Sequence, residues 1–352
     1  MRAMVVLLCL FVLSACAARE KVAPVLQPVA GAQVWPLPPD RPRYAYAGTL
    51  TGETDFLPTT SEGKSTGTKV LELIIGFVFG EPHYTQLVRP VAGLVDREGR
   101  VLVTDMGRPG ILVFDMTKNG IDLWQVAAEG QTFVSPVGIA EDGSGGFYVT
   151  DSQLGDVFHL DRDGQPLKGF GKVELVRPTG IARDRATGNF YVADTGKHQV
   201  MVFSKEGELQ EILGSRGTEL GQFNFPTHLA VQGDSLYVSD SLNFRVQVLN
   251  LRGEHKLSIG QLGANIGDMS RPKGVAAGVD GRIYVVESFF DHILIFDSKG
   301  RFLMPIDGGT LQNGTMYLPS GVWTDRENRV YVADMFNGRV CVFKELTGGA
   351  DQ

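Results

Sequence analysis

Six acids recur at one position of a repeating pattern, each closing an apolar run: Asp105, Asp151, Asp194, Asp240, Glu287 and Asp334. A six-fold ring of carboxylates suits a hard cation, since such ions take several oxygen ligands. The simpler chemistry is that of a turn cap, in which a short carboxylate after a strand accepts N–H bonds from the backbone that follows. Repetition at one structural position favours the cap. Asn243 with Arg245, and Asn337 with Arg339, follow two of these acids and are expected to lock loops by hydrogen bonds between repeats. His83, His159, His198, His255 and His292 stand at unrelated repeat positions, whereas His228 lies just after a repeat-opening proline.

These side chains need an element to hold them. Repeats begin at Arg89-Pro90, Ser135-Pro136, Arg177-Pro178, Phe225-Pro226, Arg271-Pro272 and Leu318-Pro319, with successive prolines 42 to 48 residues apart. Each proline opens a small-residue strand start, such as Gly138-Ile139-Ala140 or His228-Leu229-Ala230. A turn follows, then the apolar run that ends in the acid, then a third run such as Val340-Cys341-Val342-Phe343. A period in the forties with several short strands per repeat predicts an all-β, six-bladed β-propeller over residues 89–346.

Arg2 precedes an apolar run from Met4 to Val12, too short to cross a bilayer as a helix, so residues 1–15 read as a secretory signal. Leu13-Ser14-Ala15-Cys16 resembles the lipobox of bacterial lipoproteins. That resemblance implies lipidation of Cys16 and, because Ala17 rather than Asp follows, an outer-membrane address facing the periplasm. An ordinary signal cleaved near Ala15, Ala17 or Ala18 is the alternative. The chain carries 33 Lys and Arg against 40 Asp and Glu, a balance that disfavours a nucleic-acid groove. Cys9 falls in the signal, so Cys16 and Cys341 leave no disulfide framework.

Residues 16–42 contain Pro24, Pro28, Pro36, Pro38, Pro39 and Pro42 and are expected to form an extended, lipid-anchored tether. In residues 43–56, Tyr44-Ala45-Tyr46-Ala47-Gly48 has the pattern of a fourth blade strand, which the sixth repeat lacks; it is expected to close the ring. Residues 57–88 form an insertion in which Thr68–Phe79, apolar nearly all round, is expected to be a short helix packed on one propeller face. Docking to a membrane or a partner is the alternative for that helix. Residues 347–352 are a tail.

The pattern Pro-x-Gly-Ile-Ala, Tyr-Val-Ala-Asp, Asn-x-Arg-Val resembles NHL repeats. Its nearest copies are Asp240-Ser241-Leu242-Asn243-Phe244-Arg245-Val246 and Asp334-Met335-Phe336-Asn337-Gly338-Arg339-Val340. Bacterial lipoproteins of six NHL-like blades are similar to the chain as a whole. Propellers host unrelated activities, so the fold does not carry the function. Peptide-amidating lyases share the repeat and bind zinc through histidines just after blade prolines. Here those places hold Val91, Val137, Thr179, Thr227, Lys273 and Ser320, with His228 alone nearby, and a catalytic zinc wants three protein ligands. Calcium-dependent lactonases place acids and amides on the channel, where this chain offers Gly, Ala, Ile, Leu and Val. No metal, cofactor or catalytic residue is therefore expected.

What remains is a binding surface. The inter-blade connections and the loops between second and third strands share one face, whose loops carry Met106, Leu154, Leu242, Phe244, Phe289, Phe290, Met335 and Phe336. Inner strands add Thr179, His228, Lys273 and Ser320. Thr179, His228, Phe244, Lys273, Phe289, Phe290 and Phe336 are the expected contacts for an envelope protein or a small ligand. The expectation is an envelope-anchored, monomeric binding or scaffolding propeller, held to the membrane by its N-terminal lipid and binding no nucleic acid. The alternative is a periplasmic lyase or hydrolase of small substrates that uses the central channel.

Overall fold

The computed structural model describes residues 21–58, 84–307 and 315–346. Cys16, the expected signal, the expected helix Thr68–Phe79 and the tail lie outside the described residues. What is described is all β apart from three short 3-10 turns at Glu53–Phe56, Ser241–Asn243 and Met335–Asn337.

Six antiparallel sheets form the blades. Their innermost strands are Pro90–Val95, Pro136–Glu141, Pro178–Arg183, Pro226–Gln232, Pro272–Ala277 and Val322–Thr324. Each packs against the inner strand of the next blade, and that of blade six packs against that of blade one, so the sheets form a six-bladed ring. The second strands, such as Val101–Asp105 and Phe190–Asp194, are buried throughout. This explains why they read as unbroken apolar runs: a sheet covered on both faces has no polar side to alternate with. The covering on each face is a neighbouring blade. Six apolar clusters fill the seams, and each draws on two adjacent blades.

Blade six is built from both ends of the chain. Tyr44–Leu50 pairs antiparallel with Arg339–Glu345, and Val34–Trp35 pairs outside it as a fifth strand. The expectation of a free tether up to residue 42 is corrected here. Leu26 is buried in the seam between blades six and one, and the Trp35 ring meets Phe343 edge-on at 5.4 Å. The prolines do give an extended path, but these two apolar side chains dock it on the propeller.

The repeated acids act as caps. Both oxygens of buried Asp105 accept backbone N–H bonds, from Val88 and Arg89 before the blade and from Gly107 and Arg108 in the turn after it, at 2.6 to 3.1 Å. Asp151, Asp194 and Glu287 do the same. Each carboxylate thus ties the connection entering its blade to the loop leaving its second strand. Asn243 and Arg245 extend the tie around Asp240 to the carbonyls of Gly217 and Glu219 in the preceding connection.

Candidate binding site at the channel mouth

The inner strands surround a central cavity of about 250 Å³. Its wall is mostly small or aliphatic, because consecutive inner strands approach too closely for larger side chains. A Cβ on Gly321 would lie 2.3 Å from the Val91 carbonyl oxygen, and one on Gly138 2.5 Å from that of Thr179. By repeat position Ala92, Gly138, Gly180, Gly274 and Gly321 form one rank around the axis. His228 takes the sixth place. It lines the cavity, is 9% exposed, and neither ring nitrogen meets a protein hydrogen-bond partner. Burial and the nearby Lys273 ammonium push its pKa down to about 3. At neutral pH it is an uncharged imidazole with one donor and one acceptor to offer.

Lys273 stands on the next inner strand, half-buried. Burial, Arg271 and Arg177 together lower its pKa from the ordinary lysine value. Thr179 is different. Its hydroxyl is buried and bonded to Thr195 Oγ1 at 2.8 Å and the Ala193 carbonyl at 3.3 Å, so it braces blade three and has no free hydroxyl for a ligand.

The aromatic side chains form two groups on the mouth face. Phe289 and Phe290 lie edge to face at 4.9 Å on the blade-five loop, and Phe289 is 57% exposed. Phe336, 47% exposed, meets Tyr317 edge-on at 5.4 Å, while the Arg89 guanidinium lies 5.8 Å from its ring centre. Phe244 is only half-buried in its role as the left-handed residue that ends the turn Ser241–Asn243. Leu154 packs partly into the seam between blades one and two. Met106, Leu242, Val176, Leu220 and Leu262 add exposed apolar surface on the same face.

Tyr317, Arg89, Arg177 and Arg271 were not anticipated as mouth residues. Three of them sit beside the prolines that mark the repeat, so the signal was visible as spacing and was not read as charge. Among the described residues no group of three or more His, Cys, Asp or Glu is arranged to hold a metal ion.

Comparison with known proteins agrees with this architecture. The NHL repeat family matches residues 175–203, which is most of blade three. Protein brain tumor of Drosophila melanogaster is 27% identical over 136 residues, 38% of this chain; the match spans 13% of that protein's own length. An auxiliary nutrient binding protein from Bacteroides thetaiotaomicron aligns with a TM-score of 0.57 at 14% identity, over 73% of this chain and 69% of that one. Virginiamycin B lyase from Staphylococcus aureus aligns with a TM-score of 0.54 at 13% identity, over 74% and 96%. Likeness this remote establishes architecture and leaves activity open: the chain is a six-bladed β-propeller carrying an NHL repeat.

Proposed function

We propose that this protein is an envelope-anchored binding or scaffolding propeller that recognises a protein or small ligand at its loop-lined mouth. The observation that carries the reading is the exposed aromatic pair Phe289 and Phe290, with Phe336 and Tyr317, on the loop face of the propeller. Exposed aromatic anchors are a common recognition surface, worth about 2 kcal/mol or more each when truncated. A solved structure of this fold that is described as a nutrient binding protein is consistent with the reading. Anchoring rests on the lipobox-like Leu13–Cys16 alone.

The test is partner capture from envelope extracts with wild type, with Phe289, Phe290 and Phe336 all replaced by alanine, and with Glu208→Lys in the turn just before the outer strand of blade three. The same partner should remain on wild type and Glu208→Lys and be lost from the triple variant. Retention by a triple variant with a native circular dichroism spectrum would move the site elsewhere.

A lyase or hydrolase reading can draw on the fold likeness to virginiamycin B lyase and on the imidazole of His228, which meets no protein partner. A general base works best with a pKa near the operating pH, and a histidine held near 3 is a weak base at neutrality. The binding reading is therefore the stronger one.

A further inference from the structure

The central cavity opens on the face opposite the aromatic loops. On the mouth side its lining starts at the rank of Gly138, Gly180 and His228 and includes none of the residues directly after the opening prolines. At the other end it reaches Val95, Glu141, Arg183, Val231, Ala277 and Thr324. Each of these pairs with the residue four places before its blade's capping acid, so together they form one ring around the axis. Arg185, exposed in the turn just beyond, completes the rim. The three residue steps from the rank of His228 to the ring of Arg183 correspond to about 10 Å of strand.

Three residues of this wall carry buried polar atoms without a hydrogen-bond partner among the described residues: both ring nitrogens of His228, Nε of Arg183 and Nε1 of Trp323. An arginine Nε and an indole nitrogen only donate, and a neutral imidazole donates once. Each residue also departs from its rank. Trp323 stands where the other blades carry Leu94, Ala140, Ala182, Ala230 and Ala276; its ring edge lies on Gly93 of blade one, where a Cβ would be 2.6 Å from Cζ2. Arg183 stands where blades one, four and five carry Val95, Val231 and Ala277. Its guanidinium lies over Gly143 of blade two, where a Cβ would be 2.6 Å from Nη2, and 6.0 Å from the Phe190 ring centre. Neither Arg183 nor Arg185 forms an ion pair among the described residues. The nearby acids Asp142 and Asp184 spend their oxygens on turn hydrogen bonds and on His159, and Glu141 meets Arg97 at 4.0 Å. Two arginines against one carboxylate leave the rim positive. Buried donors without partners cost stability, and the small or aliphatic residues at these ranks in other blades show that the ring closes without them.

We infer that the central channel binds, from the face opposite the aromatic loops, a small organic acid that carries a second, uncharged oxygen. Its carboxylate lies at Arg183 and Arg185, since guanidinium groups pair with both oxygens of a carboxylate. Its aliphatic middle lies along Ile139, Ile181, Leu229 and Val275 of the wall. The oxygen at its inner end accepts a hydrogen bond from the imidazole of His228, and the Trp323 N–H adds a donor one rank inside Arg183. A volume of about 250 Å³ is several times that of one water and admits a molecule of this size. The site lies at the other end of the channel from the aromatic loops and stands independently of their role.

The experiment titrates purified folded protein by calorimetry with levulinate, a keto acid, with valerate, which lacks the ketone oxygen, and with methyl levulinate, which lacks the charge. Levulinate should bind saturably with a Kd of about 1 mM or tighter, valerate about fivefold more weakly, and the ester without saturation. Arg183→Gln and Arg185→Gln should each weaken levulinate about tenfold, as expected for a lost charge-assisted hydrogen bond. Arg185 is exposed, so its variant keeps the test decisive if Arg183→Gln does not fold. His228→Ala should bring levulinate to the affinity of valerate and leave valerate unchanged, a difference that a purely structural role would not produce. Its fold should persist, because blade one already carries Ala92 at that rank. Glu208→Lys should bind like wild type. The inference is overturned if the ester binds as well as levulinate, if valerate equals levulinate, if both arginine variants bind like wild type, or if levulinate has not saturated by about 10 mM.

Discussion

At the inner-strand rank where four blades carry glycine and blade one carries Ala92, blade four carries His228. The substitution runs against what the repeat prefers, because the ring is buried and its nitrogens have no protein partner. Breaks of a local rule with no structural gain tend to mark functional positions. His228→Ala is therefore expected to raise stability by about 1 kcal/mol at neutral pH, the order of cost of one buried unmade hydrogen bond. The effect should depend on pH. The folded pKa of about 3 lies below the unfolded value near 6.5, so the unfolded chain binds the proton more readily. Stability tied to neutral His228 is thus complete above pH 6.5 and is lost as pH falls toward 3. Thermal unfolding of wild type and His228→Ala across that window should show a gap that widens on acidification. A gap that stays constant or narrows would mean that His228 is solvated in the native state. The singularity of His228 was legible in the sequence, since it is the one histidine beside a repeat proline. The inward turn of Thr179 was not, because its hydroxyl partners Thr195 and Ala193 come from another strand of the blade.

The strands show the same division between what pattern reveals and what packing decides. Buried second and third strands announce themselves by apolar runs that recur with the repeat, and the acids that end them cap the turns by local geometry. The segment before Tyr44 carries no such signal: its prolines suggest a spacer, and only Leu26 and Trp35 hint that it docks. Their contacts lie on Ala47, Phe343 and neighbours some twenty to three hundred residues away, which no local pattern encodes. Tyr44–Leu50 contributes more. It supplies the fourth strand of blade six, buries Tyr44, Tyr46 and Leu50, and sets Tyr44 Oη 3.1 Å from Tyr284 Oη of blade five. Deleting residues 43–50 should leave Arg339–Glu345 as an open edge, abolish cooperative unfolding and promote aggregation. Deleting residues 21–33 removes mainly Leu26 and should lower stability by about 2–3 kcal/mol, the burial of one leucine. Circular dichroism melts and light scattering of the two deletions distinguish them. Equal loss in both would show that the fourth strand does not set the stability of the ring.

At the scale of the molecule, the path of the N-terminal segment decides which face an anchor at Cys16 would bring toward a membrane. Leu50 pairs with Val340, beside the loop Met335–Gly338, so the Leu50 end of its strand lies on the mouth face. The following turn Glu53–Phe56 returns to the segment that leads into blade one. Lys21 is held there: its ammonium meets Glu53 at 3.2 Å, and the Val22 N–H donates to the Phe56 carbonyl at 2.9 Å. The lipid proposed on Cys16 is five residues upstream. Fully extended, that length of chain spans about 18 Å at 3.6 Å per residue. A lipid at Cys16 would thus hold the mouth rim close to the bilayer, with the opposite face turned away. Two measurements follow. Cys16→Ser should release the protein from the membrane fraction or leave its precursor uncleaved, and unchanged processing and association would refute the anchor. For orientation, a fluorophore on Phe289→Cys at the mouth should be quenched by spin-labelled lipid more strongly than one on Val279→Cys. Val279 lies exposed in the turn at the far end of the blade-five inner strand. Cys341 is fully buried and would not compete for the label. Equal quenching at the two positions would mean that the body turns freely on its anchor, and the short, docked N-terminal segment would then play no part in orienting the mouth.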